Sequence, residues 1–246
     1  NPEDYVQHID FLNKAVYTKN DLSFLKEVAK AVVDSGRGAG VDGYEEFAAS
    51  VKDVTVSDDA KAVADMYLEA KKAMIGFNQN LITTEAASLL ADIALVSGHI
   101  GTPRDGILQV KAKNNSQGLV DLGITAGAEE LEGVKALVVF GEEADIDTDA
   151  LEFLAVSDTH MTALAAKADV VIPGTGFAST DGTYTNTERR LQLVQAAIEE
   201  DVELANWEIA AEIAHVFEVD YEWENTEDIS VAMNDEVPAY KYAVVD

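Results

Sequence analysis

Cysteine is absent from this sequence of 246 residues, and histidine is scarce. Without cysteine, the chain cannot form disulfides, ligate iron–sulfur clusters or build zinc–thiolate sites by itself. Its histidines lie far apart in sequence, so a metal site made of histidine alone is not expected. We predict that each of them is a surface residue or a hydrogen-bonded core residue: His8, His99, His160 and His215.

Basic residues are few as well. The chain has 17 Lys and Arg against 46 Asp and Glu, which gives a formal net charge of -29. Such a charge repels phosphate backbones and anionic lipid headgroups, so nucleic acid and membrane surfaces are not expected as partners. The simplest interpretation of the acidity is solubility or a salt-rich source, and the alternative is a docking face for basic electron-transfer partners.

Long apolar runs are also missing. No segment approaches the roughly 20 apolar residues that span a bilayer, and the N-terminus has no charged-then-apolar signal pattern. We therefore expect no direct membrane insertion, and we predict a cytoplasmic location. The first residue is Asn1 rather than methionine, so we expect a piece of a longer protein.

Helical and strand-like patterns alternate along the chain. Apolar residues at helical spacing predict helices that begin at Asn20 or Asp21, at Ser57, and at Thr83 or Thr84, and Gly98 is expected to end the third of these. A short helix is predicted at about 159–167. Short apolar runs predict buried strands at 73–77, 136–141, 153–158 and 170–173.

This alternation predicts an α/β fold, namely a Rossmann-like domain with a parallel sheet and helices on both faces. We assign residues 1–217 to that domain and residues 218–246 to an acidic C-terminal extension on the surface. In open parallel sheets, ligands bind beyond the carboxyl ends of the strands. The segments after Gly141, Asp158 and Pro173 are therefore the first places to look for a site.

Arginine occurs at four positions, and two of these are adjacent, at Arg189 and Arg190. They end a polar segment, which we treat as a loop, that also contains Thr183, Asn186 and Gln192. Guanidinium groups pair with phosphate bidentately, and hydroxyl and amide groups can complete such a site. The alternative is that both arginines only neutralise nearby carboxylates.

A second polar segment, also predicted to be a loop, carries Asn114, Asn115, Gln117 and Gly118. Side-chain amides offer paired donors and acceptors, which suit the edge of a heterocycle. The alternative for this segment is an ordinary surface turn.

Several short segments follow one another in a distinctive order along the chain. They are Gly98-His99-Ile100-Gly101-Thr102-Pro103, Gly106-Ile107-Leu108, Asn114-Asn115-Ser116-Gln117-Gly118, Asp121-Leu122-Gly123, Ala168-Asp169-Val170-Val171-Ile172-Pro173, Asp181 to Gln192, Asn206-Trp207-Glu208-Ile209 and Glu236-Val237-Pro238-Ala239-Tyr240. This order resembles the molybdopterin oxidoreductase family, in particular formate dehydrogenase alpha subunits and the related G subunit of NADH dehydrogenases. The resemblance covers most of the chain and is weakest in the N-terminal stretch.

The resemblance implies the family's third domain, a nucleotide-fold module of the large subunit that holds one guanosine half of the bis-pterin cofactor, which is molybdopterin guanine dinucleotide with Mo or W. The implied cofactor-binding residues are Asn114, Asn115, Gln117, Gly118, Gly141, Glu142, Asp158, Thr183, Asn186, Arg189, Arg190 and Gln192. No catalytic residue or metal ligand is assigned to this chain. The implied partners are the remaining domains of the large subunit and iron–sulfur and flavin electron-transfer subunits.

The sequence departs from the family pattern at three places. Carboxylates are lost at Thr162-Ala163-Leu164-Ala165 and at Ala178-Ser179, and Glu143 adds a negative charge after Gly141-Glu142. These departures favour an alternative, a scaffold domain of an NADH dehydrogenase-like complex with a vestigial pterin site and no cofactor. A third alternative is an unrelated nucleotide-binding module, which the absence of G-x-G-x-x-G and Walker patterns disfavours.

Overall fold

The computed structural model describes residues 15–18, 20–125, 131–142, 145–199, 202 and 204–241. The chain divides into two compact units, Asn1–Ala112 and Lys113–Asp246. The first unit contains α1 (Asp21–Asp34), α2 (Tyr44–Ser50), α3 (Asp58–Glu69), β1 (Met74–Asn78), α4 (Thr84–Ser97) and β2 (Gly106–Val110). The second contains α5 (Ser116–Asp121), β3 (Ala136–Phe140), β4 (Phe153–Asp158), β5 (Val170–Pro173), β6 (Gly182–Thr185), β7 (Leu191–Val194), α6 (Asn206–Val216) and α7 (Thr226–Glu236).

The helices of the first unit begin where the sequence predicts them. The side chains of Asn20, Ser57 and Thr83 each accept a hydrogen bond from a backbone N–H in the first turn of α1, α3 and α4. Helix α4 ends at Gly98, which has a left-handed backbone with φ of 77°. These caps satisfy backbone groups that have no partner inside the helix, so the predicted boundaries are confirmed.

The core of the first unit is formed by its longer helices. Helix α1 packs against α3 and α4, and α4 connects the parallel strands β1 and β2, which pair from Met74 with Gly106 to Asn78 with Val110. The buried side chains of this core are Val28, Ala29, Val32, Phe47, Val51, Ala60, Ala64, Leu89, Ile93 and Val96.

His99 is a core residue of the first unit. Its Nε2 lies 2.9 Å from the carbonyl oxygen of Tyr67 and its Nδ1 lies 3.2 Å from Asp105 Oδ1. The ring is buried and contacts the Tyr67 ring edge to face. The prediction of a surface or hydrogen-bonded histidine is thus confirmed here. It is also confirmed for the exposed His160 and His215, whereas His8 lies outside the described residues.

A parallel three-stranded sheet forms the centre of the second unit. Strand β4 lies between β3 and β5. The pairing of β3 with β4 begins with Ala136 opposite Phe153, and the pairing of β4 with β5 begins with Ala155 opposite Val170. The core against this sheet is built from Leu154, Val156, Leu164 and Ala165. The predicted strands and the α/β class are confirmed. The parallel strands form two separate ladders, β1–β2 and β3–β4–β5.

The segment at about 159–167, which follows β4, is predicted to be a short helix, and this prediction is wrong for most of its length. Among its residues, the structure contains only one 3₁₀ turn, Ala165–Lys167. Asp158 Oδ1 accepts hydrogen bonds from the backbone N–H groups of Thr159 and His160, at 2.7 and 3.4 Å. That turn competes with a helical start, which explains why helical geometry is delayed.

The polar segment 181–192, treated as a loop in the sequence analysis, is an antiparallel hairpin. Strand β6 pairs with β7 from Gly182 opposite Val194 to Thr185 opposite Leu191. Threonine, tyrosine and alternating leucine favour strands because they pack well on a pleated surface.

In the described part of the chain, no helix has the length and apolar character needed to cross a membrane. The predicted boundary at 217/218 stays a prediction.

Candidate functional site

A tight turn of residues 186–190, called the hairpin turn below, joins β6 to β7. The Asn186 amide organises it, because Oδ1 accepts hydrogen bonds from the backbone N–H groups of Glu188 and Arg190 at 2.9 and 3.0 Å. The Arg189 N–H donates to the Asn186 carbonyl at 2.9 Å. Arg189 adopts a left-handed backbone with φ of 61°, a conformation that normally favours glycine.

The amide loop, residues 113–118, lies against this hairpin. The side-chain oxygen of Asn115 accepts a hydrogen bond from the backbone N–H of Thr185 at 2.8 Å. Gly118 makes room for that amide, since a Cβ atom at position 118 would collide with Asn115 Oδ1. Helix α5 begins at Ser116, so the predicted loop ends earlier than expected. Two of the predicted site residues, Asn115 and Gly118, thus fix the loop to β6.

Helix α5 contributes a carboxylate that is not among the predicted site residues. Asp121 Oδ1 accepts a hydrogen bond from Gln117 Nε2 at 2.7 Å and lies 3.9 Å from an Arg189 guanidinium nitrogen. Gln117 itself is buried. A signal for this role existed, because Gln117 and Asp121 are four residues apart and so share one face of a helix.

Tyr240 is a second residue that sequence reasoning missed. Its hydroxyl lies 2.7 Å from Thr185 Oγ1, and both residues are buried. Burial raises the pKa of Tyr240, and the nearby Asp121 carboxylate raises it further, whereas Thr185 and Arg189 act in the opposite direction. No local sequence signal could have found this contact, because the partners are 55 residues apart.

The carboxyl ends of β3 and β4 lie beside each other. Gly141 has φ of 57° and its N–H donates to the Ser157 carbonyl at 2.8 Å, which brings it next to Asp158. Glu142 forms an ion pair with Lys113, so the amide loop begins at this edge of the sheet. The amide loop therefore links the end of β3 to β6, whose last residue precedes the hairpin turn.

Thr183 and Gln192 lie on the strands of the hairpin and not in the hairpin turn. The strand register places Thr183 opposite Leu193 and Gln192 opposite Tyr184. Thr183 also lines a cavity of about 280 Å³ whose other walls include Trp207 and Met233. The predicted site residue Asn114 is exposed in the amide loop.

The cations around this edge all have carboxylate partners. Lys113 pairs with Glu142, Arg189 with Asp121, and Arg190 with Glu188, the last at 3.9 Å. The side chains of Lys113, Arg189 and Arg190 are exposed. An anion that binds these groups would compete with their carboxylate partners. Among the described residues, no group of three or more His, Asp or Glu side chains could hold a metal ion.

Comparison with known proteins gives a consistent result. The molybdopterin oxidoreductase family profile matches residues 24–216, which is most of the chain. The alpha subunit of F420-dependent formate dehydrogenase 1 from Methanococcus maripaludis is 28% identical over 232 residues, covering 70% of this chain and 34% of the relative. Formate dehydrogenase H from Escherichia coli is 27% identical over 246 residues, covering 77% of this chain and 34% of the relative.

The chain spans about a third of the length of these curated relatives. The family match includes the amide loop, the ends of β3 and β4, the hairpin turn and all of α6. From this match, the chain belongs to the molybdopterin oxidoreductase family.

Proposed function

We propose that this chain is a domain of the large subunit of a molybdopterin-type oxidoreductase related to formate dehydrogenases. In this proposal the domain binds the guanosine diphosphate part of molybdopterin guanine dinucleotide. The cofactor supplies Mo- or W-based redox chemistry when bound. Since the chain has no cysteine, the iron–sulfur and metal-ligating residues of the enzyme belong to other parts of the parent protein or complex.

The observation that carries this proposal is that the amide loop links the carboxyl edge of β3, through Lys113 and Glu142, to Thr185 of β6, the residue just before the hairpin turn. Arg189 and Arg190 extend from the hairpin turn with exposed guanidinium groups, which have the planar donor pattern that phosphate oxygens match. Ligands of parallel-sheet domains bind at this edge of the sheet. The arginine pair would bind the diphosphate there.

The groups for the nucleoside lie close by. Asn114 is exposed in the amide loop and offers both an amide donor and a carbonyl acceptor. Asp158 ends β4, where a carboxylate can accept from ribose hydroxyl groups. We assign Asn115, Gly118 and Asn186 to shaping the site, because the contacts of Asn115 and Asn186 are to backbone N–H groups.

The proposed partners follow from the size of the relatives. The chain covers 34% of relatives that are named as alpha subunits of formate dehydrogenases, so other domains of a large subunit would adjoin it. Iron–sulfur and flavin subunits would carry the electrons, and a cytoplasmic enzyme is proposed. The acidic surface would then face those partners.

The test is the double variant Arg189→Ala/Arg190→Ala in the parent enzyme. Released guanine nucleotide and Mo or W, measured per mole of protein, should fall at least about tenfold, because two charge-assisted contacts to phosphate are lost. Arg104→Ala is a matched control, since Arg104 is also exposed and has φ of 67° but lies in the first unit. Unchanged cofactor content in the double variant would refute the assignment.

A second candidate function is a scaffold domain of an NADH dehydrogenase-like complex that binds no pterin. The favouring observation is that the cations of the site are already neutralised by Glu142, Asp121 and Glu188. Elemental analysis of the parent protein separates the two functions. Near-stoichiometric Mo or W supports cofactor binding, and iron without either metal supports the scaffold.

A further inference from the structure

We propose that Asp121 is an internal counter-ion of the phosphate site, which Arg189 leaves when a nucleoside diphosphate binds. This inference rests on the function proposed above and adds the residue that sets the affinity of the site. Asp121 would hold the guanidinium near the hairpin turn in the free protein, and phosphate oxygens would replace the carboxylate in the complex.

The geometry of the ion pair suits an exchange. The distance of 3.9 Å between the Arg189 nitrogen and Asp121 Oδ1 is longer than a hydrogen bond. The N–H donors of the guanidinium are therefore not used by this carboxylate. The Arg189 side chain is 72% exposed, so an incoming phosphate can reach it without movement of the backbone.

The carboxylate itself stays in place during such an exchange. Gln117 Nε2 donates to Asp121 Oδ1 at 2.7 Å, and this bond does not depend on Arg189. The hairpin turn is likewise fixed independently, because Asn186 Oδ1 accepts from the N–H groups of Glu188 and Arg190. Both sides of the ion pair thus have their own support, and only the guanidinium has to move.

Burial distinguishes Asp121 from the other carboxylates at the site. Its side chain is 9% exposed, whereas the Glu188 side chain that pairs with Arg190 at the same distance of 3.9 Å is 66% exposed. Water screens the exposed Glu188 carboxylate and reduces its interaction with Arg190, but it has less access to the Asp121 carboxylate. Asp121 is therefore the stronger competitor for an anionic ligand.

The experiment compares Asp121→Asn with Glu188→Gln in the 246-residue chain, with GDP as the probe in a calorimetric titration. Each substitution removes one negative charge, so the effect of net charge cancels in the comparison. Asparagine at position 121 can still accept the Gln117 hydrogen bond. We expect Asp121→Asn to bind GDP about fivefold more tightly than the unsubstituted chain, and Glu188→Gln to change affinity by less than about twofold.

The expected gain in GDP affinity of Asp121→Asn must depend on Arg189. Arg189→Ala should weaken GDP binding, and Asp121→Asn should give no gain in an Arg189→Ala background. Equal affinity of Asp121→Asn and Glu188→Gln, or a gain that persists without Arg189, would overturn the counter-ion role while leaving the proposed function intact. If GDP binds to none of these proteins, or equally to all including Arg189→Ala, both proposals fail. Circular dichroism of each variant checks that the fold is retained.

Discussion

The side chain of Asn115 and the backbone N–H of Thr185 form a hydrogen bond of 2.8 Å across 70 residues of sequence. Thr185 is buried, so its N–H has little access to water. The bond joins the amide loop to β6 and thereby sets where the hairpin lies relative to α5. Gly118 makes room for the same amide, so Asn115 and Gly118 both contribute to this one hydrogen bond.

Gly118→Ala should therefore destabilise the second unit. The added methyl group would push the Asn115 amide away from Thr185 and leave a buried N–H without a partner, at a cost of about 1–3 kcal/mol. Denaturant unfolding measures the change. Gly40→Ala is the control, since a Cβ at position 40 meets no atom within 4 Å.

The double variant Asn115→Ala/Gly118→Ala tests the stated cause. Once the amide is gone, the methyl group at position 118 has nothing to displace, so the two costs should not add. Strict additivity of the two single substitutions would contradict this explanation.

Arg189→Gly should make the domain more stable and the proposed site weaker. A left-handed backbone costs a non-glycine residue about 1–2 kcal/mol, whereas the extra freedom of glycine in the unfolded chain costs about 0.4–1 kcal/mol. A net gain of about 0.5–1 kcal/mol is expected in thermal unfolding, together with weaker GDP binding. Arg104→Gly, with φ of 67°, should give a similar gain and leave GDP binding unchanged. A stability loss in both variants would contradict the strain argument.

Asp105→Asn should remove an acid-sensitive contribution to the stability of the first unit. The pKa of Asp105 lies well below its usual range because Lys72 donates to the carboxylate, followed by Thr102 and the Ala73 N–H. The three bonds measure 2.8, 2.6 and 2.9 Å. A group with a lowered folded pKa stabilises the protein above its unfolded pKa of about 4 and loses that effect as pH falls further.

The difference in unfolding free energy between the unsubstituted chain and Asp105→Asn should thus be largest near neutral pH and shrink below about pH 4. Denaturant unfolding over a pH series measures it. Asp65→Asn is the control, since Asp65 forms only an exposed pair with Lys61 at 2.8 Å. A difference that stays constant down to strongly acidic pH would contradict the carboxylate assignment.

The pKa of Tyr240 should respond to the charges of Asp121 and Arg189. Its pKa is raised first by burial and then by Asp121, and Arg189 lowers it. Arg189→Ala should therefore raise the pKa of Tyr240 further, and Asp121→Asn should lower it. The tyrosinate absorbance difference against Tyr240→Phe isolates this residue from the other tyrosines. Shifts of the same sign in both variants would show that the two charges do not act on the hydroxyl.

Local signals explain what could be predicted from sequence. Helix starts at Asn20, Ser57 and Thr83 depend on residues within one turn, and buried parallel strands are recognisable as short apolar runs. The family resemblance singles out the amide loop and the segment with the arginine pair, and the structure joins the amide loop to β6 through Asn115 and Thr185. Both kinds of signal come from residues that lie close together in the sequence.

The functions of individual side chains were harder to predict. The amides of Asn115, Gln117 and Asn186 suit a ligand by their chemistry, and sequence alone does not indicate that each also forms a hydrogen bond within the protein. The bond from Asn115 depends on the register between α5 and β6, which no local pattern specifies. Tyr240 is a similar case, because its partner lies in a distant strand.

The hairpin turn offers a place for a spectroscopic label. Asn186 holds the turn through the backbone of its neighbours, so the side chain at Thr187 is not needed for its shape. Since the chain has no thiol of its own, Thr187→Cys would create a single attachment point for a fluorophore. Emission from that position would report the arrival of a ligand at the proposed site, without any assay of turnover.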